Sequence, residues 1–263
     1  MQNKNNNRFT RNKDGFNDKN PSLREDLVIG RNAVLELLRT DTVIEVIFLQ
    51  KELTGTVTKI AAMAKEKGIV VKDAGVQKLD NMCNRASHQG VVAVTAGADY
   101  HSLEDIIERA GDEPLFVIVA DEIEDPHNLG AIIRTAEAAG AHGLIIPKRR
   151  SAGLTFAAVK ASAGAAAHFP VARVSNIADT IAELKKQGVW FYAADMGGKS
   201  WCDTDFGGPV GLVIGSEGKG VGRLVKERCD FTVSLPMRGK INSLNASVAA
   251  GIIMYEIARQ RMK

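Results

Sequence analysis

Residues 212–218 read LVIGSEG, an apolar strand that ends in Gly215 and opens into a loop carrying Glu217. A carboxylate on such a loop can orient an arginine or accept a proton from a hydroxyl group. The plainer alternative is a loop carboxylate that begins the next helix. Ligand-binding loops of open α/β sheets lie at the carboxyl ends of parallel strands. Other polar loops that follow apolar strands are therefore candidate partners of this one.

One such loop is DPHNLGAIIR, residues 125–134, which follows the apolar stretch 115–120. Asn128 can cap a helix that begins there, and Arg134 lies further inside that helix. Plain capping is an equally good explanation for Asn128. For Arg134 the alternative is an exposed helix residue that pairs with Glu137.

The other is LPMRGKINSLNAS, residues 235–247, in which Ser243, Asn245 and Ser247 crowd the start of the C-terminal helix. Ser243 alone would be a routine helix cap. Three polar side chains exceed what capping needs, because Ser and Asn are poor choices for a helix interior. The three loops together therefore indicate a functional site.

The surrounding pattern predicts an α/β domain over residues 114–263. Its predicted strands span 115–120, 143–146, 189–194 and 210–214, and its predicted helices span 129–139, 156–163, 177–187 and 244–261. Apolar strands that alternate with helices predict a mostly parallel sheet covered on both faces.

The N-terminal part of the chain predicts a smaller unit. Residues 23–96 form a small α/β domain, with helices at 33–38 and 57–67 and strands at 43–49, 69–72 and 91–95. Residues 97–113 predict a linker with one short amphipathic piece. Residues 1–22 contain almost no apolar side chains and predict a disordered basic tail.

The charge is uneven along the chain. The first 24 residues hold six basic and two acidic side chains, so their formal charge is +4. The whole chain has a formal charge of +3, so the remaining residues together carry −1. A basic arm on a nearly neutral body adds affinity for phosphate, as in nucleic-acid enzymes. A solubilising tail is the alternative.

The composition excludes several classes of protein. With 45% hydrophobic and 25% charged residues, no long apolar run and no signal peptide, the chain is expected to be cytoplasmic. The three cysteines, Cys83, Cys202 and Cys229, form no CxxC pair and predict reduced thiols. The five histidines show no clustered spacing, so no protein-bound metal is expected.

Two glycine-rich segments are weak candidates for nucleotide binding. AADMGGKS, residues 193–200, ends like a phosphate-binding loop, but Ala193 replaces the first glycine of that motif. GSEGKGVG, residues 215–222, does not match the GxGxxG spacing of nicotinamide sites. Both readings are disfavoured.

The three polar segments, in this order and spacing, resemble the three signature motifs of the SpoU family of RNA 2′-O-methyltransferases. The segment 28–95, which includes IGRNAVLELL and HQGVVAV, is similar to the RNA-binding domain that precedes the catalytic domain in this family. That domain resembles a kink-turn-binding ribosomal protein in fold. Only the N-terminal tail lies outside the resemblance.

The resemblance implies a knotted, parallel-sheet SPOUT methyltransferase domain whose trefoil knot binds S-adenosylmethionine, preceded by the small α/β domain. Such knots are so rare that pattern analysis alone predicts an ordinary doubly wound fold. The implied cofactor residues are Met196, Gly197, Gly215, Leu235, Leu244 and Asn245. The resemblance also implies a homodimer through the knot region and the C-terminal helix, with Val248, Ile252, Tyr255 and Ile257 at the interface.

The implied catalytic residues are Arg134, Asn128, Glu217, Ser243 and Asn245. Arg134 is expected to clamp the target phosphate and stabilise developing alkoxide charge, because a guanidinium is a very poor base. Glu217 is expected to orient Arg134, and Ser243 and Asn245 are expected to position the ribose and the cofactor.

Within the family, the arrangement is most similar to enzymes that methylate a guanosine in the peptidyl-tRNA-binding loop of 23S ribosomal RNA. Structured RNA is therefore the expected substrate and partner. The alternatives are methylation of transfer RNA or of another ribosomal loop, including one that confers antibiotic resistance. A rival from another class is a non-catalytic RNA-binding protein that assists ribosome assembly.

Overall fold

A computed structural model describes residues 26–50 and 55–262, which form two α/β domains. The predicted tail, residues 1–22, lies outside the described residues. Within the described part of the chain, no helix is long and apolar enough to cross a membrane.

The N-terminal domain is a four-stranded sheet with helices on both faces. Its elements are β1 (Leu27–Ile29), α1 (Arg31–Leu37), β2 (Ile44–Gln50), α2 (Thr56–Glu66), β3 (Val70–Ala74), α3 (Val76–Met82) and β4 (Val91–Thr95). The strand order is β1-β4-β2-β3, and only β2 and β3 pair in parallel. Ile47, Ile60 and Leu79 are fully buried between the sheet and its helices.

The predicted linker contains α4 (Leu103–Ala110). Ser102 and Asp105 form a capping box that begins this helix. Ile106 is fully buried against the second domain, and the His101 amide donates to the Val171 carbonyl at 2.9 Å. The second half of the predicted linker therefore packs as part of the C-terminal domain.

The C-terminal domain is built on a six-stranded sheet. Its elements are β5 (Phe116–Ala120), α5 (Pro126–Ala138), β6 (Gly143–Pro147), α6 (Phe156–Ala161), β7 (Val171–Val174), α7 (Ile177–Lys186), β8 (Trp190–Ser200), β9 (Val210–Ile214), α8 (Arg223–Arg228), β10 (Phe231–Ser234) and α9 (Ala246–Arg261). The strand order is β10-β8-β9-β5-β6-β7, and every pairing is parallel. The predicted parallel sheet is thus confirmed, whereas the trefoil knot stays a prediction.

Both faces of this sheet are buried, as its apolar strands require. Ile118 and Leu212 face a core that includes residues of α5, α6 and α9. Val117 and Val213 face the opposite core, to which α4, α7 and α8 contribute. The loops after β5, β9 and β10 consequently emerge at one edge of the sheet.

Several predicted boundaries differ from the structure. Strand β8 continues to Ser200, beyond the predicted end at 194, because Lys199 and Ser200 pair with β10 after an irregularity in register. Helix α5 begins at Pro126 and α9 at Ala246, where the pattern predicted 129 and 244. The sequence pattern missed β1, α3, β7, α8 and β10, which are seven residues long at most.

Candidate active site

A hydrogen-bonded cluster joins the three polar loops at the carboxyl edge of the sheet. Asn128 Nδ2 donates to Glu217 Oε1 at 2.8 Å. Asn245 Nδ2 donates to the same oxygen at 2.5 Å and to Asn128 Oδ1 at 2.9 Å. Side chains that lie 89 and 117 residues from Asn128 in sequence are thereby brought together.

Helix capping sets the orientation of Asn245. Its Oδ1 accepts from the backbone amides of Ser247 and Val248, at 3.0 and 3.2 Å, and so caps α9. Since the amide oxygen is used in this way, Nδ2 is directed at the two other members of the cluster. Asn245, and not Ser243, therefore caps this helix.

Asp125 caps α5, because its Oδ1 accepts a hydrogen bond from the His127 amide at 2.9 Å. The prediction that Asn128 caps this helix is therefore wrong: Asn128 lies in the first turn, and its side chain reaches across to Glu217. The helix begins three residues earlier than expected because Pro126 is well suited to the first helical position.

The loop that carries Glu217 folds back on itself. The Gly220 amide donates to the Ser216 carbonyl at 2.9 Å, and these two residues form an isolated bridge. A Cβ atom on Gly215 would clash with Gly220 and Val221, so only glycine fits at the end of β9. The tight loop presents Glu217 to Asn128 and Asn245.

Asp121, at the end of β5, ties the first two loops together. Its Oδ2 accepts from the Gly222 amide at 2.8 Å. Burial raises the pKa of Asp121 above its usual value, although the hydrogen bond from Gly222 acts in the opposite direction. The side chain is therefore part of the scaffold that holds the two loops.

A cavity of about 230 Å³ lies beside the cluster. Four of the predicted cofactor residues, Met196, Gly215, Leu235 and Leu244, line it, as does Ser243. Gly197 does not line this cavity. Asn245 lines a neighbouring polar cavity of about 410 Å³, together with Asn128 and Glu217.

The lining of the smaller cavity fits a nucleoside joined to an amino acid. Ile214, Val233 and Ile253 supply apolar contact area, and the glycine-rich loop offers backbone groups without side chains in the way. At the rim, Asp195 Oδ2 accepts from Lys226 Nζ at 2.7 Å. Asp195 was not among the predicted site residues, although it directly precedes Met196 on β8.

Arg134 stands apart from this cluster. It lies six residues after Asn128 on α5, about 240° further round the helix. Its side chain is exposed, and no hydrogen bond or ion pair links it to any residue that the structure describes. The expected pairing of Arg134 with Glu217 is not formed in this chain.

Of the four predicted interface residues on α9, three form one exposed stripe. Val248, Ile252 and Tyr255 are 50%, 36% and 50% exposed, at a spacing that places them on one helix face. Ile257 is fully buried in the core of its own domain. Its assignment to the interface is therefore wrong.

Comparisons with known proteins agree with this architecture. Residues 114–255 match the family model described as the SpoU rRNA methylase family, and residues 27–101 match the model described as RNA 2′-O ribose methyltransferase substrate binding.

Among curated relatives, a Bacillus subtilis (strain 168) protein named YacO, assigned to the TrmH family of tRNA/rRNA methyltransferases, is 48% identical over 91% of this chain and 98% of its own. A Staphylococcus haemolyticus protein with the same family assignment is 46% identical over 90% and 97%.

Among solved structures, the SpoU methyltransferase AviRb of Streptomyces viridochromogenes, in complex with AdoMet, is 27% identical. It aligns with a TM-score of 0.56 over 90% of both chains. An AdoMet-bound rRNA methyltransferase of Sinorhizobium meliloti is 26% identical, with a TM-score of 0.56 over 89% of this chain and 86% of its own.

Proposed function

This chain belongs to the SpoU family of S-adenosylmethionine-dependent RNA methyltransferases, and we propose that it methylates the ribose 2′-hydroxyl of a guanosine in the peptidyl-tRNA-binding loop of 23S ribosomal RNA. The observation that carries the proposal is the hydrogen-bonded cluster of Asn128, Glu217 and Asn245 beside the cavity that the predicted cofactor residues line. We further propose that the enzyme works in the cytoplasm.

Met196, Gly215, Leu235 and Leu244 are the proposed cofactor residues, through apolar contact and backbone hydrogen bonds. S-adenosylmethionine supplies an activated methyl group on a sulfonium. The chain must then hold the ribose hydroxyl in line with that group and draw its proton away as the bond forms. Ser243, on the cavity wall, is proposed to hold the ribose at the boundary between cofactor and RNA.

Glu217 is the proposed acceptor of the hydrogen bond from the ribose hydroxyl. Its Oε1 already accepts from Asn128, Asn245 and the Ala246 amide, the last at 3.4 Å. Its Oε2 has no hydrogen-bond partner among the described residues, and the side chain is exposed. The two amides fix the carboxylate so that its second oxygen faces incoming RNA.

Arg134 is the proposed clamp on the phosphate of the target nucleotide. The guanidinium group of arginine stays protonated throughout the physiological pH range and binds phosphate through two parallel N–H donors. It is therefore suited to hold the backbone and to stabilise negative charge on the attacking oxygen, and unsuited to act as the base.

A homodimer through α9 and the neighbouring loops is the proposed assembly. The stripe of Val248, Ile252 and Tyr255 is an apolar helix face of the kind that a second copy covers in a symmetric interface. Helix α5, which carries Arg134, packs directly on α9, where Thr135 lies next to Gly251. We propose that Arg134 of one protomer acts on RNA held at the polar cluster of its partner.

The experiment for the reaction itself uses tritiated S-adenosylmethionine and total RNA from a strain that lacks the gene. We expect label on one ribose of 23S ribosomal RNA, and none with an Arg134→Ala variant. Label on transfer RNA would overturn the proposed substrate while leaving the enzyme class intact. No label on any RNA, despite measurable cofactor binding, would favour the non-catalytic assembly role.

The role of Arg134 across the dimer is tested by mixing two inactive variants. Arg134→Ala and Glu217→Ala chains are unfolded together and refolded, so that mixed dimers form. If Arg134 acts across the interface, half of the dimers have one complete site, and about a quarter of wild-type activity returns. Action within one chain predicts no recovery. Near-full turnover by Arg134→Lys would contradict the two-donor clamp.

A further inference from the structure

A second, larger concavity lies between the two domains. One wall is the edge of the N-terminal sheet, formed by the end of α2 and by β3, and the other is the loop of residues 147–153 that follows β6. Its volume is about 860 Å³, several times that of the cofactor cavity. The cleft is open to solvent.

Most of the charged side chains that line the cleft are basic. Lys65 and Lys72 lie on the N-terminal wall, and Lys148 and Arg149 lie on the opposite wall. All four are exposed, and none pairs with a carboxylate of the described residues. Four unpaired cations that face one space repel one another, which is tolerated where the space is filled by an anion.

The other charges of the cleft are largely neutralised within the protein. Arg150 Nη1 lies 3.3 Å from Glu122 Oε1, and Arg173 Nη1 lies 3.1 Å from Glu45 Oε2. Glu124 is the remaining acidic residue on the lining. The uncompensated charge of the cleft is therefore positive on both walls.

A buried clamp fixes the width of the cleft at its floor. Glu45, on β2 of the N-terminal domain, accepts a hydrogen bond from the Tyr100 hydroxyl and pairs with Arg173 on β7 of the C-terminal domain. The Arg173 guanidinium also lies over the Tyr100 ring, 4.7 Å from its centroid. Any side chain at Gly153 would overlap the Glu45 carboxylate, so this loop of the second domain closes directly over the clamp.

The cleft leads to the candidate active site. Glu124 lines both the cleft and the polar cavity in which Asn128, Glu217 and Asn245 lie. Pro126, on the cleft wall, begins the helix that carries Asn128. The cleft and the polar cavity therefore adjoin each other at Glu124.

We propose that this cleft binds the phosphate backbone of the substrate RNA next to the methylated nucleotide, with Lys65, Lys72, Lys148 and Arg149 as the contacting residues. The inference rests on the proposed function, since it assigns a path for the RNA to the same site. Phosphates spaced along a backbone match cations on two facing walls, and the fixed clamp pre-organises both walls before binding.

The test measures binding of a fluorescein-labelled 23S ribosomal RNA transcript as a function of salt concentration. The cleft variant is Lys72→Ala with Arg149→Ala, one change on each wall. The matched control is Lys59→Ala with Lys186→Ala, which removes two exposed cations from α2 and α7 outside the cleft. All four positions are exposed, so both proteins are expected to fold.

For the cleft variant we expect the slope of log affinity against log salt to fall by about 0.7–0.9 for each lost phosphate contact, so by roughly 1.5 in total. The control variant is expected to keep the wild-type slope, and both variants are expected to bind S-adenosylmethionine as the wild type does. If both variants give the same slope of log affinity against log salt, the inference is overturned. An acidic protein partner would then be the favoured occupant of the cleft.

Methyl transfer, measured on the same proteins, separates this inference from the proposed function. If the wild type methylates RNA and the cleft variant does so with the same KM, the cleft assignment is overturned and the proposed reaction stands. If the cleft variant loses salt-dependent RNA binding but the wild type methylates no RNA, the cleft assignment is supported and the proposed reaction is overturned.

Discussion

Replacing Gly215 by alanine is the sharpest perturbation of the candidate cofactor site. A Cβ atom on Gly215 would lie 2.1 Å from the Gly220 carbonyl carbon and 2.2 Å from the Val221 nitrogen, whereas real Cβ atoms essentially never approach within 3.0 Å. Because those atoms belong to the backbone, the loop must retreat by roughly 1 Å even to reach that limit.

The retreat has a cost in stability and a cost in binding. Overpacking of this kind costs about 1–3 kcal/mol, and for a domain of this size each kcal/mol lowers Tm by about 2–4 °C. The displaced segment carries Ser216, Glu217 and Gly220, which line the cavity. If the bound state requires the undistorted loop, S-adenosylmethionine binding weakens by about 10- to 100-fold.

The assay is calorimetric titration with S-adenosylmethionine together with a thermal melt. Gly218→Ala is the matched control, because Gly218 lies in the same loop and an added Cβ atom there meets nothing within 4 Å. We expect wild-type affinity from the control and the full loss from Gly215→Ala. Wild-type affinity in Gly215→Ala, or an equal loss in both variants, would refute the steric argument.

Three further perturbations have defined outcomes. Asn245→Asp keeps an oxygen to cap α9 but loses the amide donor of the cluster, so we expect unchanged circular dichroism and methylation about 100-fold slower. Glu45→Ala removes the carboxylate that pairs with Arg173, whose side chain is only 17% exposed. Denaturant unfolding should show that the free energy of unfolding falls by about 3 kcal/mol. The control is Glu36→Ala, which removes an exposed carboxylate and should change the free energy of unfolding little. Burial lowers the pKa of His142 in the folded protein below the ordinary value of 6.5. The neutral imidazole therefore contributes its full stability above pH 6.5, and this contribution is lost as the pH falls through the lowered pKa. A His142→Gln variant should show a flatter decline of Tm on acidification.

Much of the fold could be predicted because its signals are local. Strands such as β5 and β9 are buried on both faces, so each appears in the sequence as an unbroken apolar run, and the long helices show helical spacing. Short elements gave weaker signals. Strand β10 has four residues and only one of them, Val233, is buried, because the strand lies at the edge of the sheet.

The candidate site divides in the same way. Its three loops were predicted from polar residues at the ends of apolar strands, and the structure brings Asn128, Glu217 and Asn245 within hydrogen-bond distance. The sequence did not decide which residue caps each helix, because Ser, Asn and Asp all serve as caps and several stand close together in each segment. The separation of Arg134 from Asn128 follows from their spacing of six residues once both are known to lie in α5, but the pattern predicted that this helix begins only at residue 129.

The α/β class of the fold, the order of its longer elements and the segments that form the site could all be predicted from the sequence, because they follow from burial patterns and from residue chemistry within a few turns. Tertiary structure alone decided the contacts between distant segments. Glu45 lies in a strand whose other residues are mostly apolar, and nothing near it in sequence indicates that it meets Arg173, 128 residues away, beneath the cleft between the domains. A buried charge is stabilised by whichever partner the packing of whole domains brings to it, and that packing is not a property of any local segment.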